Sequence, residues 1–207
     1  YRLQKVQYDQ TVKNIEISEF NPLETIDINV NGLMNLIKMS MRNKPEKFLN
    51  ISTDKAAEAT TLYGSTKNLG EKLTTWAGQH ITNTKFATAR FGNVMETRGN
   101  VFELWNEEKA QGKPLSVTHP DMEPYFFSVK EAANSALSCI PKMNEGEIFV
   151  PKMKLFKIID LAKKISDNYE IIGKRKGEKI IEILMTDEEM SRAKVEEDLG
   201  LIHISEP

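Results

Sequence analysis

The chain has 207 residues, 40% hydrophobic and 28% charged, with a formal net charge of −2. That is enough chain to bury a core in one or two domains, and the near-balanced charge gives no reason to expect nucleic acid or a membrane surface as partner. No apolar run approaches the ~20 residues that cross a bilayer, and the N-terminal YRLQKVQYDQ does not have the form of a signal peptide. A cytoplasmic protein, or a cytoplasmic piece of one, is expected. The single cysteine, Cys139, lies in the apolar stretch SALSCI and reads as a core thiol. With only His80, His119 and His203 besides, no metal-ligand spacing is present.

In chain order, apolar residues at helical spacing predict a helix over Leu23–Met41, and after NKPE the run KFLNIS reads as a buried strand. Leu62–His80 is a second helix and KFATARF a second strand. Asn100–Gln111 reads as a helix, PLSV as a short strand, and SVKEAANSALSCI as a helix opened by a capping box from Ser128 to Glu131. EIFVP is a strand, KIIDLAKKIS a helix, YEIIGK a strand, and the charged DEEMSRAKVEEDLG a last helix. Helices alternating with continuously apolar strands predict an α/β fold with a largely parallel sheet. A boundary is placed near Phe91–Gly92, where tight alternation gives way to longer loops.

Two clusters carry chemistry. Tyr63 and Lys67 in YGSTK share one helix face a turn apart. A lysine ammonium there favours the phenolate of a tyrosine whose ordinary pKa is ~10, and such a tyrosine can take the proton of a substrate hydroxyl while hydride leaves the same carbon. Thr53, Asp54 and Lys55 end the KFLNIS strand, at the end of a parallel strand where open α/β sheets bind ligands, and Asp54 and Lys55 could form an acid–base pair. Each pattern alone also fits a bland reading: a chance Tyr-x-x-x-Lys, and a solvated loop with a helix cap.

Taken together, STDKAA, LYGSTK, ARFGNV, RGNV, VTHPDM, GEIFVPKM and RKGEKIIEIL resemble the inverting UDP-N-acetylglucosamine 4,6-dehydratases. These are extended short-chain dehydrogenase/reductases of the polysaccharide-biosynthesis group. The resemblance runs in order from about Val12 to the C-terminus. It implies a Rossmann-like sheet over 1–91 and a mainly UDP-sugar-binding part over 92–207, with about 125–150 returning to the nucleotide domain. It implies that Tyr63 assists oxidation at C4 of the sugar and that Lys67 holds the nicotinamide ribose of NAD or NADP. Lys55 would take the C5 proton, Asp54 would protonate the departing C6 hydroxyl, and Thr53 would bond near C4. Asn29, in INVNG, and Lys13 would stand on the cofactor side. Asn93, Arg98 and Arg175 would meet the diphosphate, and Glu178 the uridine ribose. Homo-oligomers are implied as well.

The sequence departs from that family in ways that bear on function. It nowhere contains G-x-G-x-x-G, the backbone turn that holds a cofactor's pyrophosphate at a helix N-terminus, and it has no glycine before Gly32. NAD(P) binding by this chain alone is therefore expected to be poor, with a separate N-terminal half as an expected partner. ETRG stands for the family's GSRG, placing Glu96 at the first glycine, and Glu123 and Pro124 replace a threonine and an arginine. The reading is a nucleotide-sugar 4,6-dehydratase. Its alternatives are a non-catalytic relative that keeps sugar-nucleotide binding or assembly, and a UDP-sugar 4-epimerase, which needs Tyr63 and Lys67 but not Asp54 and Lys55.

Overall fold

The computed structural model describes residues 5–8, 11–97, 99–175, 177–196 and 201–204, and the side chains of 11–97, 99–175 and 177–195. The chain forms two compact units, one of residues 1–91, 133–152 and 183–207, the other of 92–132 and 153–182.

The first unit is built on a sheet whose strands run β1 (Lys5–Tyr8), β2 (Lys47–Thr53), β3 (Lys85–Phe91), β7 (Ile148–Pro151), β11 (Leu201–Ile204) and β10 (Ala193–Glu196). The first four are parallel, and β11 and β10 close the edge as an antiparallel pair. This is the α/β arrangement with a largely parallel sheet that the alternation of apolar strands and helices predicts, and it is Rossmann-like as the resemblance implies. Its helices are α1 (Ile15–Phe20), α2 (Pro22–Ile26), α3 (Gly32–Asn43), α4 (Leu62–His80) and α8 (Asp187–Arg192). α3 and α4 pack on β2 and β3 through Leu33, Ile37, Phe48, Ala77 and Phe86, all buried. Fully burying an aliphatic or phenyl side chain contributes about 1.5–3 kcal/mol, so this cluster secures the helices over the sheet.

α4 packs closely against α3 and the loop before β7 because it carries glycines where they meet. A Cβ on Gly70 would stand 3.0 Å from Leu33 Cδ2, and one on Gly78 would stand 2.5 Å from Gly146 Cα. Gly146 itself has φ +96°, a conformation that favours glycine, and the Thr75 hydroxyl donates to its carbonyl at 2.8 Å.

In the second unit β4 (Asn93–Val94), β6 (Tyr125–Phe127) and β8 (Lys154–Leu155) form one small sheet, and β5 (Leu115–Val117) pairs with β9 (Tyr169–Ile171). α5 (Val101–Ala110) and α7 (Ile158–Ile165) cover a core of Trp105, Leu115, Val117, Phe126, Ile158 and Ala162. The Trp105 indole N–H is satisfied by the Ser116 carbonyl at 2.8 Å. α6 (Val129–Cys139) opens with the expected capping box, the Glu131 carboxylate accepting from the Ser128 N–H at 2.7 Å.

Two helices differ from the sequence expectation. The segment Leu23–Met41 is not one α-helix: between α2 and α3, Asp27–Asn31 forms π-helix, with the Gly32 N–H reaching back to the Asp27 carbonyl. At the other end, the helix expected over 187–200 stops at Arg192, and Ala193–Glu196 becomes β10, because its backbone pairs with β11. Residues 197–200 of that expected helix lie outside the described residues.

Candidate active site

Thr53 ends β2 and turns the chain into a 3-10 turn, Asp54–Ala56. The Thr53 hydroxyl donates to Asp54 Oδ1 at 2.8 Å, and the Lys55 ammonium donates to the same oxygen at 3.1 Å. Asp54 is fully buried, and its other oxygen, Oδ2, has no hydrogen-bond partner among the described residues. Leaving a buried acceptor unsatisfied costs about 1–3 kcal/mol, so such an oxygen calls for a partner, an ordered water or a bound group among them. Here the orphan lies at the carboxyl end of a parallel strand, beside the sole cation of its turn.

Tyr63 and Lys67 enter from α4. Thr61 caps that helix, its hydroxyl accepting from the Gly64 N–H at 3.1 Å. Both Tyr63 and Lys67 are buried, and the Lys67 ammonium donates to the Ile51 carbonyl of β2 at 2.8 Å. Gly64 brings the two clusters together: a Cβ there would collide with the Lys55 carbonyl oxygen and approach its carbon to 3.3 Å. Only a glycine lets the first turn of the tyrosine's helix rest on the Asp54–Lys55 turn.

Asn29 sits in the middle of the π-helical segment, an irregularity that recurs at functional sites. Its amide oxygen accepts from the Val12 N–H at 2.7 Å and the Thr11 hydroxyl at 2.9 Å. Its amide nitrogen donates to the Val12 carbonyl at 3.2 Å and the Thr66 hydroxyl at 3.0 Å, so all its bonding capacity is used. Lys13 follows Val12 and is exposed.

The remaining expected site residues belong to the second unit. The Asn93 amide donates to the Tyr125 carbonyl at 3.2 Å. Arg175 and Glu178 close a turn on each other, with a 3.6 Å ion pair and a 2.9 Å bond from the Arg175 N–H to the Glu178 carboxylate. Arg98 lies outside the described residues. Glu96 is exposed at φ +65°, a left-handed conformation costly for a side chain with a Cβ. It lines a surface groove of about 670 Å³ with Met95, Asn100, Glu103 and Glu107.

One cluster escaped the sequence reading. Arg90, on β3 and almost fully buried, makes paired bonds to Glu71 of α4 at 2.9 and 2.6 Å and to Glu189 of α8 at 2.8 and 2.7 Å. A fifth bond, at 2.9 Å, reaches the Leu184 carbonyl. Burial works against the charge of Arg90, but the two carboxylates outweigh it and raise its pKa. Burial likewise opposes ionisation of Glu189, yet Arg90 and the Thr186 cap hold its carboxyl below the usual carboxylate range. The signal available in sequence was a lone arginine inside the apolar strand KFATARF. The small-residue and threonine positions on α4, Gly64 and Thr66, carried no distinctive pattern.

The donors present suit the ribose and nicotinamide end of a dinucleotide: a buried lysine ammonium on the β2 end and a tyrosine one turn before it. The glycine-rich turn for the phosphates is not part of this sequence.

The chain matches the family model described as polysaccharide biosynthesis protein over residues 1–203. It is 36% identical over 183 residues to a UDP-N-acetylglucosamine 4,6-dehydratase (inverting) of Campylobacter jejuni, a match covering 86% of this chain and 55% of that protein. A UDP-glucose 4-epimerase of Rickettsia canadensis is 35% identical over 197 residues, covering 91% of this chain and 57% of the epimerase. The X-ray structure of Pen from Bacillus thuringiensis superposes with a TM-score of 0.92 at 28% identity, covering 99% of this chain and 66% of that one. The chain thus spans little more than half the length of these two sequence relatives. Among the described residues no helix is long and apolar enough to cross a membrane.

Proposed function

This chain belongs to the polysaccharide biosynthesis protein family, and we propose that it carries the acid–base machinery of a nucleotide-sugar 4,6-dehydratase acting on UDP-N-acetylglucosamine. The observation that carries the reading is the buried, half-unpartnered Asp54 carboxylate beside Lys55, held against the helix of Tyr63 and Lys67 by Gly64.

A nicotinamide dinucleotide, NAD or NADP, would supply hydride acceptance from C4 and its return to C6. Lys67 and Lys13 are the residues assigned to hold it, and Asn29, whose bonding groups are all taken within the protein, would support that side of the site from behind. Tyr63 takes the C4 hydroxyl proton as that carbon is oxidised, with the Lys67 charge favouring the phenolate. The ketone at C4 acidifies the proton at C5. Lys55 as a neutral amine takes that proton, and Asp54 as a neutral acid gives its own to the C6 hydroxyl, which leaves as water. Lys55, by then an ammonium, returns a proton to C5 as hydride arrives at C6. Asp54 Oδ2, buried and without a protein partner among the described residues, is the oxygen assigned to the substrate hydroxyl. Thr53 holds Oδ1, which leaves Oδ2 as the oxygen without a protein partner among the described residues. Asn93, Arg98 and Arg175 are assigned to the diphosphate and Glu178 to the ribose of the nucleotide.

The named epimerase relative supports a second reading, in which Tyr63 and Lys67 act alone and C4 is reduced again with inverted configuration. Incubating the protein with UDP-N-acetylglucosamine and either dinucleotide, followed by NMR, separates the two. A 4-keto-6-deoxy sugar supports the dehydratase reading, a C4 epimer the alternative, and cofactor bound without turnover of UDP-N-acetylglucosamine or UDP-glucose counts against both.

A further inference from the structure

A chain of polar groups ties the tyrosine's helix to the segment that follows β1. Thr66 is buried; its hydroxyl donates to the Tyr63 carbonyl at 2.8 Å and accepts from the Asn29 amide at 3.0 Å. The first of these bonds is a local habit of threonine in helices. The second is not local: it spans 37 residues of sequence and lies out of solvent. Asn29 in turn holds both backbone groups of Val12.

We infer that Thr66 is a positioning residue for Tyr63, setting its phenol against the Lys67 ammonium through the Tyr63 peptide group; this rests on the proposed roles of Tyr63 and Lys67. Helix geometry directs the Lys67 N–H at the same Tyr63 carbonyl that receives the Thr66 hydroxyl. That one carbonyl therefore links the two site residues along the backbone. The lysine end is fixed separately, by the Ile51 carbonyl at 2.8 Å. The first turn is fixed from below by the Gly64 contact with the Lys55 carbonyl. Bonds from the Asn68 amide to the Ala56 carbonyl and from the Leu62 N–H to the Glu19 carboxylate also tie the turn, and the Asn29–Thr66 bond is the buried one that meets the Tyr63 carbonyl through the Thr66 hydroxyl. Coulomb attraction falls with distance, so letting the phenol drift about 1 Å from an ammonium at ~4 Å raises its titration midpoint by about half a pH unit. Thr66 touches neither the substrate nor the cofactor in this account.

The test reads the tyrosine itself and needs no turnover. The protein is labelled with 13C at tyrosine Cζ, the Tyr63 signal is assigned by its loss in Tyr63→Phe, and its midpoint is followed by NMR. Thr66→Val, nearly the same shape without the hydroxyl, is expected to raise the midpoint by about half a unit or more, and Thr66→Ser to restore it. If Thr66→Val does not fold, Thr66→Ala carries the same expectation. A wild-type midpoint in a folded Thr66→Val or Thr66→Ala protein overturns the inference. A Tyr63 midpoint that Lys67→Met leaves unchanged overturns the Tyr63–Lys67 pairing beneath it, whatever the Thr66 variants do.

Discussion

Glu189→Gln tests how the last described helix is held to the sheet. The substitution keeps the shape and the acceptor oxygen that caps Thr186 but removes the negative charge that meets Arg90 at 2.8 and 2.7 Å. It also turns an amide N–H₂ toward the guanidinium. Hydrogen bonds to charged groups contribute about 1.5–3 kcal/mol each. With one acceptor retained, the loss is about 2–4 kcal/mol at neutral pH. For a chain of this length about 1 kcal/mol moves the melting temperature by 2–4 °C, so Tm should fall by about 4–16 °C. The pH dependence gives the sharper check. Because the Glu189 carboxyl is held below its ordinary value in the folded protein, its contribution is complete above the unfolded value near 4.5 and disappears as pH falls through the folded one. Wild type should therefore lead the variant at pH ~7 and converge on it in acid. Thermal melts followed by circular dichroism at several pH values measure this. A gap under about 2 °C at neutral pH, or one that persists undiminished in acid, would show that the buried ion cluster does not hold α8 in place.

Other consequences can be measured alongside. Gly78→Ala places a methyl group 2.5 Å from Gly146 Cα and should cost about 1–3 kcal/mol in urea unfolding, as overpacking does. Glu96→Gly relieves a left-handed residue at φ +65° and should leave stability unchanged or raise it by up to about 1 kcal/mol. Burial pushes the Cys139 thiol up to about 12, so Ellman's reagent at mildly alkaline pH should label it only after denaturation; rapid labelling of the native protein would contradict its burial. Lys55→Ala should abolish dehydration, and full retained turnover would rule Lys55 out as the C5 base.

The elements that could be read in advance are those whose order is local. α4 spans Leu62–His80 as its periodicity implies, with Thr61 as cap, and β2 and β3 are strands buried from end to end after their first lysine. The strands of the second unit's small sheet are two or three residues long, too short to show a period. The π-helical turn at Asp27–Asn31 arises where the Asn29 side chain engages Val12 and Thr66, partners 17 and 37 residues away, which helical spacing cannot report. The site divides the same way. Tyr63 and Lys67, and Thr53, Asp54 and Lys55, announce themselves by spacing and by their place after a buried strand. What brings the two groups into contact is Gly64, whose missing side chain leaves no mark in a pattern of apolar and charged residues. Arg90 was hidden for a related reason: a charge in an apolar strand gains its meaning only from Glu71 and Glu189, which arrive from two other elements.

The most direct test of the central claim, that Asp54 and Lys55 add elimination to the redox chemistry of Tyr63 and Lys67, is turnover of UDP-N-acetylglucosamine in D2O with isotopic analysis of the sugar. Removal of the C5 proton and its replacement from solvent predict a 4-keto-6-deoxy product carrying deuterium at C5, and loss of that product in Lys55→Ala. A product inverted at C4 with its C5 hydrogen still protium would contradict the account.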